Sequence, residues 1–217
     1  MLYTKAMELS PVDYIKQFPL HVFEKGSVLV PEGLEASNVF AIQSGYIKVS
    51  TLDDAGSQQF LWIAGRYDIV PAELLFSKNA PVGFYYTTLS EVVAYAIPKK
   101  EFLRHASENL VFMSEIARGM SMHYDDLLYR LRSVEQTKAK NKIALTLLNL
   151  GRRFSADDVV HLGELGLELT HQDIADMVGM TRETTSLELG KLRSEKYISY
   201  NRGKLTLFIS ALEQFEQ

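Results

Sequence analysis

The spacing of hydrophobic residues changes twice along this chain of 217 residues. From Val22 to Ala64, and again from Gly83 to Pro98, short alternating runs of apolar and polar residues are separated by turn signals rich in glycine. This spacing indicates an antiparallel barrel or a double-sheet roll. Such a roll can hold a small molecule, but it can equally be packed solid.

A helical period takes over between Glu108 and Glu135. Apolar side chains recur there at alternating spacings of four and three residues, at Met113, Ala117, Met120, Tyr124, Leu127, Leu131 and Val134. This heptad seam predicts one long helix, and so narrow a stripe favours pairing with a second copy of the same helix. Leu110, Ile116 and Leu128 lie off the seam and are expected to pack against the chain's own roll. A helix buried within its own subunit is the alternative.

The last third of the chain predicts two short helices on either side of a glycine. Thr170 can cap the first helix, with Asp173 three positions later as a variant of the capping box. Gly179 ends that helix, and Thr181 can cap the second. An alternating pattern typical of a β-hairpin follows, around a turn at residues 201–203. These parts make up a winged helix-turn-helix, so double-stranded DNA is the expected partner; an ordinary helical pair in a core is the alternative.

The second helix opens with residues that can read base pairs, since its first turns would enter the major groove. Arg182 can donate two hydrogen bonds to guanine, and Glu183 can accept one from the amino group of cytosine. Arg202 and Lys204, in the hairpin, would lie near phosphate. The contacts expected from the second helix are Thr181, Arg182, Glu183, Thr185, Ser186 and Leu187.

The distribution of charge limits how this protein can bind DNA. The formal net charge is −4, yet from Gln136 onward 11 lysines and arginines balance 11 aspartates and glutamates. A neutral C-terminal part predicts modest affinity for arbitrary DNA, so tight binding needs a specific site or a dimer. It also leaves open a ligand-binding or interaction protein that keeps a helix-turn-helix shape without specific DNA readout.

The composition excludes several kinds of chemistry. The chain contains no cysteine, so disulfides, thiolate metal sites and redox sensing by its own thiols are excluded. It has no phosphate loop, nucleophile elbow or paired metal ligands, and its five histidines are scattered, so we expect neither an enzyme nor a metal or haem site. No segment is apolar for long enough to form a membrane helix or a leader, which predicts a cytoplasmic protein.

The order of roll, long helix and winged helix resembles the CRP/FNR family, the transcription regulators typified by the cyclic-AMP receptor protein and the oxygen sensor FNR. The segments that carry the resemblance are FEKGSVLVPEG, FAIQSGYIKVS, AGRYDIVPAELLF, KIALTLLNL, THQDIADMVGMTRETTS and KYISYNRGKLTL. The resemblance implies an α+β fold with a cyclic-nucleotide-binding-like β-roll at 1–107, a dimerisation helix at 108–136 and a winged helix-turn-helix at 137–217. It also implies a homodimer that binds a near-palindromic promoter site, with RNA polymerase as a candidate further partner.

The same resemblance assigns roles to the DNA-binding residues. Arg182 and Glu183 match the two base-reading positions of the family, and Ser186 matches a further one used by FNR-like members. Positions near the phosphate backbone are matched by Thr170, His171 and Gln172. Leu187 departs from the family, because many members carry a second base-reading arginine there. A leucine cannot donate to guanine but can contact the thymine methyl group, so we expect a half-site altered at one base pair.

A second departure concerns the effector. Members that bind a cyclic nucleotide carry a Gly-Glu pair for the ribose and, further along, an Arg followed by Ser or Thr for the phosphate. Here Glu73 follows Ala72, and the later positions fall at residues 81–84, PVGF. The missing clamp argues against cyclic AMP, because a buried phosphate needs a cationic or amide partner.

Aromatic residues cluster in this part of the sequence instead. A candidate pocket for an unidentified small molecule, if one binds, consists of Trp62, Glu73, Phe84, Tyr85 and Tyr86. The alternative is that these rings fill the core of the barrel. The segment VGFYYTTL is also similar to PrfA-like members of the family, which have lost the nucleotide site. No cofactor is expected.

Overall fold

The computed structural model describes residues 11–30, 36–52, 54, 56, 58–72, 83–154, 163–164, 167–201 and 204–216. The chain divides into two compact units. The first comprises residues 1–51 and 63–123, and the second comprises residues 52–62 and 124–217. This division falls inside the long helix, whereas the domain boundaries predicted from the sequence, after residues 107 and 136, lie close to the two ends of that helix.

Eight described strands form the predicted double-sheet roll. They are β1 Leu20–Phe23, β2 Val28–Val30, β3 Asn38–Ser44, β4 Ile47–Leu52, β5 Gln58–Ala64, β6 Ile69–Val70, β7 Tyr85–Thr88 and β8 Val92–Pro98. One sheet has the order β1-β8-β3-β6, and the other has the order β2-β7-β4-β5. Alternate residues of β8 are buried, and Tyr86 on β7 is fully buried opposite Val49 on β4. The apolar residues that alternate in the sequence are therefore those that face the inside of the roll.

Three helices pack on the first sheet: α1 Pro11–Ile15, α2 Lys99–Glu108 and the beginning of α3 Leu110–Val134. Their buried cluster contains Tyr14, Val39, Ala41, Ile97, Phe102, Ala106, Phe112 and Ile116. The ring of His105 stacks on Tyr14 with centroids 3.6 Å apart. Its Nε2 has no hydrogen-bond partner among the described residues. His105 is therefore a histidine of the helical core.

The helix α3 is the single long helix that the heptad pattern predicts. Ile116 is buried as expected, but Leu110 is 81 % exposed and Leu128 is 47 % exposed, so the expectation that both leucines pack inside the subunit is wrong. Leu110 lies three residues before Met113 and continues the seam, and Leu128 flanks the seam four residues after Tyr124. The exposed seam residues include Met120, Tyr124, Leu127 and Leu131.

The C-terminal part folds as helices around a small sheet. Its elements are α4 Ala139–Phe154, β9 Gly163–Glu164, α5 His171–Val178, α6 Arg182–Ser194, β10 Ile198–Asn201, β11 Lys204–Leu207, α7 Ile209–Leu212 and a 3-10 helix Glu213–Glu216. The strands pair antiparallel in the order β10-β11-β9. The helix pair and the hairpin confirm the predicted winged helix-turn-helix. Arg152 on α4 donates to the carboxylates of Glu213 and Glu216 at 3.1 and 2.6 Å and so fastens the C-terminal turn.

Two further expectations concern membranes and metals. None of the described helices combines the length and apolar character needed to cross a membrane. Within the described part of the chain, no group of three or more potential ligands is placed to hold a metal ion. Both statements apply to the ranges given above and to no other residues.

Candidate nucleic-acid interface

Side-chain caps determine where the two helices of the turn begin. The Thr170 hydroxyl accepts from the Asp173 N–H at 3.1 Å, and the Asp173 carboxylate accepts from the Thr170 N–H at 2.8 Å, so the capping box is complete. Gly179 ends α5 with a φ of +66°, a left-handed conformation that glycine adopts without strain. Thr181 caps α6 by accepting from the Thr184 N–H at 3.2 Å. The geometry of the turn is thus fixed by short local contacts.

The helix α6 has an exposed polar face and a buried apolar face. Arg182 and Glu183, the predicted base-reading pair, are exposed in its first turn. Thr185, predicted to contact DNA, is instead fully buried, and its hydroxyl has no hydrogen-bond partner in the described part of the chain. Thr185 lies four residues before Leu189 and seven before Leu192, on the stripe that packs inside the domain. That spacing is visible in the sequence and marks Thr185 as a core residue.

Ser186 is held by a contact inside the domain. Its hydroxyl lies 2.8 Å from Nδ1 of His171, and Nε2 of the same ring lies 3.5 Å from the hydroxyl of Tyr200. Burial raises the pKa of Tyr200, so this hydroxyl keeps its proton. The contact joins α5, α6 and β10 and leaves Ser186 half-buried. Tyr200 carries no signal as a site residue in the sequence, where it is one position of a predicted strand.

A cleft of about 600 Å³ opens at the beginnings of α5 and α6 and is lined by Thr170, His171, Gln172 and Arg182. The structure therefore brings the residues predicted to lie near phosphate together with one predicted to read a base. The N-terminal end of α5 and the guanidinium of Arg182 both attract anions. Gln172 donates to the Asp176 carboxylate at 2.6 Å, which orients its side chain. The cleft suits a phosphate backbone.

Leu187 is an apolar side chain on the exposed face of α6, with 69 % of its surface accessible. It follows Glu183 by four residues, so the two side chains point the same way. Glu188 faces inward instead and accepts from the Lys191 ammonium at 2.6 Å. The helix therefore exposes Arg182, Glu183 and Leu187, and the last two lie one turn apart on the same side.

Comparison with known proteins identifies the family. Residues 20–109 match the model of the cyclic nucleotide-binding domain, and residues 141–217 match the model of the Crp-like helix-turn-helix domain. The chain is 27 % identical to the anaerobic regulatory protein of Bacillus subtilis (strain 168), over 85 % of this chain and 77 % of that protein. It is a member of the CRP/FNR family. The protein is thus a transcription regulator with a helix-turn-helix domain, in a family of regulators rather than enzymes.

Two further proteins are similar to this chain over most of its length. The cAMP-activated global transcriptional regulator CRP of Haemophilus influenzae is 21 % identical over 88 % of this chain and 84 % of that protein. The structure of FixK2 from Bradyrhizobium japonicum has a TM-score of 0.76 at 15 % identity, and the match covers 91 % of this chain and 96 % of FixK2. The likeness to FixK2, at 15 % identity, shows a shared fold and nothing more.

The sequence predicts a candidate effector pocket in the roll. Tyr86, a predicted pocket residue, is fully buried in β7, so the core alternative is correct for this ring. Phe84 and Tyr85 are half-buried in the first unit. Trp62 belongs to the second unit, where the guanidinium of Arg153 lies 5.7 Å from its ring centroid. The pocket as a whole stays a prediction from the sequence.

Three predicted site residues fall outside what the structure describes. They are Glu73 in the candidate pocket, Arg202 in the hairpin turn, and the side chain of Lys204 at the start of β11. Their roles stay predictions from the sequence. The same holds for base reading by Arg182 and Glu183, whose exposure permits the role without testing it.

Proposed function

We propose that this regulator binds a near-palindromic promoter site as a homodimer, with Arg182 and Glu183 of each copy reading one half-site. The observation that carries the proposal is the exposed, capped start of α6 beside the cleft formed by Thr170, His171 and Gln172. The first turns of such a helix read bases, while contacts to the backbone fix its position. Because residues from 136 onward carry no excess of positive charge, specific binding depends on these few contacts.

The open seam of α3 supports the homodimer. Met120, Tyr124, Leu127 and Leu131 are exposed to water in the isolated subunit, and pairing two α3 helices would bury them. A parallel pair relates two copies of α6 by a two-fold axis, which sets the half-sites about 10 base pairs apart. CRP/FNR regulators act on DNA as dimers.

Cyclic AMP is not the effector in this proposal. The Haemophilus relative is cAMP-activated, but residues 81–84 of this chain supply no Arg-Ser or Arg-Thr pair for a cyclic phosphate. A phosphate buried without such a partner is strongly disfavoured. The roll therefore responds to a different small molecule or acts without one. RNA polymerase is the partner through which DNA binding changes transcription. The protein acts in the cytoplasm, where the chromosome lies.

Selection from random duplex DNA with purified, ligand-free protein tests the proposal. We expect a two-fold symmetric site, and Arg182→Ala should weaken binding to that site by about 1 to 3 kcal/mol. Arg118→Ala is the matched control, since Arg118 is an exposed arginine of α3 paired with Glu115 on the same helix. An equal loss from both variants would indicate non-specific attraction. No symmetric site and no effect of Arg182→Ala would favour a protein that keeps the helix-turn-helix shape without reading DNA.

A further inference from the structure

Two of the exposed apolar side chains outside the α3 seam lie near its middle section. Leu128 is on the flank of the seam, and Tyr67, on the turn between β5 and β6, is 73 % exposed. Tyr67 also has a φ of +75°, a left-handed conformation that is strained for any residue with a side chain. The guanidinium of Arg66 lies 4.7 Å from the centroid of its ring. A strained backbone that holds an aromatic ring in water indicates a binding role for that ring.

Polar contacts hold the Tyr67 turn against the strand β3 and the helix α3. The Asp68 carboxylate accepts from the Gly65 N–H at 2.7 Å, and the Tyr67 N–H donates to the Ile42 carbonyl at 3.0 Å. The other carboxylate oxygen of Asp68 lies 3.3 Å from Nε2 of His123 on α3. These contacts fix the turn that bears Tyr67, and they place this turn beside His123.

The heptad register predicts what His123 faces in a dimer. His123 directly precedes the seam residue Tyr124 and occupies position g, while Leu128 directly follows the seam residue Leu127 and occupies position e. In a parallel helix pair, the g residue of one heptad lies beside the e residue of the next heptad on the facing helix. His123 of one copy therefore lies beside the partner's Leu128.

We propose that, in the homodimer, Tyr67 of each subunit covers the partner's Leu128. This inference rests on the proposed homodimer and adds to it a contact outside the seam. The occupant is a second copy of this chain, because the Tyr67 turn is continuous with the seam through His123. One contact removes both side chains from water, and that burial offsets the strained φ of Tyr67.

Sedimentation velocity on single variants tests this contact. Tyr67→Gly removes the ring and suits a φ of +75°, so the subunit should stay folded while the dimer dissociation constant rises about tenfold, equivalent to 1.4 kcal/mol. Leu128→Ser, at a side chain exposed within the subunit, should have a similar effect. Met122→Ser is the matched control, because Met122 is 52 % exposed but occupies position f, away from the facing helix. Its dissociation constant should equal that of the wild type.

The double variant shows whether the two residues touch. If they do, Tyr67→Gly combined with Leu128→Ser should raise the dissociation constant by less than the product of the two single effects. Independent effects would overturn the contact, and so would a dimer that Tyr67→Gly leaves unchanged. A wild-type protein that stays monomeric at its highest soluble concentration would instead overturn the homodimer itself.

Discussion

The helices α3 and α6 are both amphipathic, but they expose opposite faces. The helix α6 buries Thr185, Leu189 and Leu192 and leaves its polar face in water, whereas α3 packs through Phe112 and Ile116 and leaves its heptad seam in water. A polar exposed face is stable as it stands and fits a polar partner such as DNA. A long apolar stripe exposed to water is unfavourable, because burying it against a partner lowers the free energy. The exposed face of α6 therefore needs no protein partner, whereas the exposed seam of α3 does.

A charge placed on each apolar stripe should separate the two helices most strongly. Leu127→Asp lies on the open seam, so the subunit should stay folded while dimerisation weakens by about 3 kcal/mol or more, because pairing would bury two unpaired carboxylates. Leu189→Asp lies on the buried stripe of α6 and should unfold the C-terminal domain. Sedimentation velocity and circular dichroism distinguish the outcomes. A Leu127→Asp protein that remains a dimer would show that the seam is not the interface.

A substitution on the open face of α6 should change which DNA is bound and leave the fold intact. Leu187→Arg adds a donor in line with Glu183, so preference at one base pair of each half-site should shift toward guanine by about 1 to 3 kcal/mol. Selection from random DNA with both proteins measures the shift. Met122→Arg, which adds the same single positive charge at an exposed position of α3, controls for charge alone. Identical sites for wild type and Leu187→Arg would mean that position 187 does not face a base.

Local signals explain why much of the fold could be predicted from the sequence. The capping box of Thr170 and Asp173, the glycine at 179 and the heptad spacing involve residues close together in the chain, so they predict helix boundaries without tertiary structure. The side of α3 that packs inside the subunit is different, since it depends on where the sheets lie. Leu110 and Leu128 were therefore predicted inside and lie outside.

The candidate site could be predicted from the sequence in part, for similar reasons. Arg182 and Glu183 follow directly from the cap at Thr181, which fixes the first turn of α6. The contact of His171 with Ser186 and Tyr200 joins residues 15 and 29 positions apart, and no local pattern reports it. Thr185 was misplaced for another reason, because the first-turn rule ignores the spacing of four and seven residues that puts Thr185 on one buried stripe with Leu189 and Leu192.

The buried face of α6 can be probed without touching its open face. Thr185→Val replaces a buried hydroxyl that has no partner among the described residues with a methyl group, so the free energy of unfolding should rise by about 1 kcal/mol. DNA affinity should not change. Thr184→Val is the matched control, because the Thr184 hydroxyl is exposed and lies 3.0 Å from that of Thr181, so its loss should slightly destabilise the cap. Thermal melting and DNA titration of both variants give the comparison; a loss of DNA affinity in Thr185→Val would place position 185 at the interface after all.

The smallest expected effect concerns the packed side of α3. His105 lies against Tyr14 and Phe112, and burial, followed by the positive charge of Arg104, holds its pKa below the ordinary value of 6.5, while Glu108 acts in the opposite direction. The unfolded chain therefore takes up this proton first. Stability should be complete above pH 6.5 and should decrease as the pH falls below it toward the folded-state pKa.

Thermal melts over roughly pH 5 to 8 measure this slope, and His105→Gln should flatten it. Because His105 contacts the face of α3 that packs inside the subunit, the same slope should appear in the wild type and in the Leu127→Asp variant. A slope that vanishes in Leu127→Asp would mean that a partner, rather than the subunit itself, buries that face. The distinction between the closed side of α3 and its open seam would then fail.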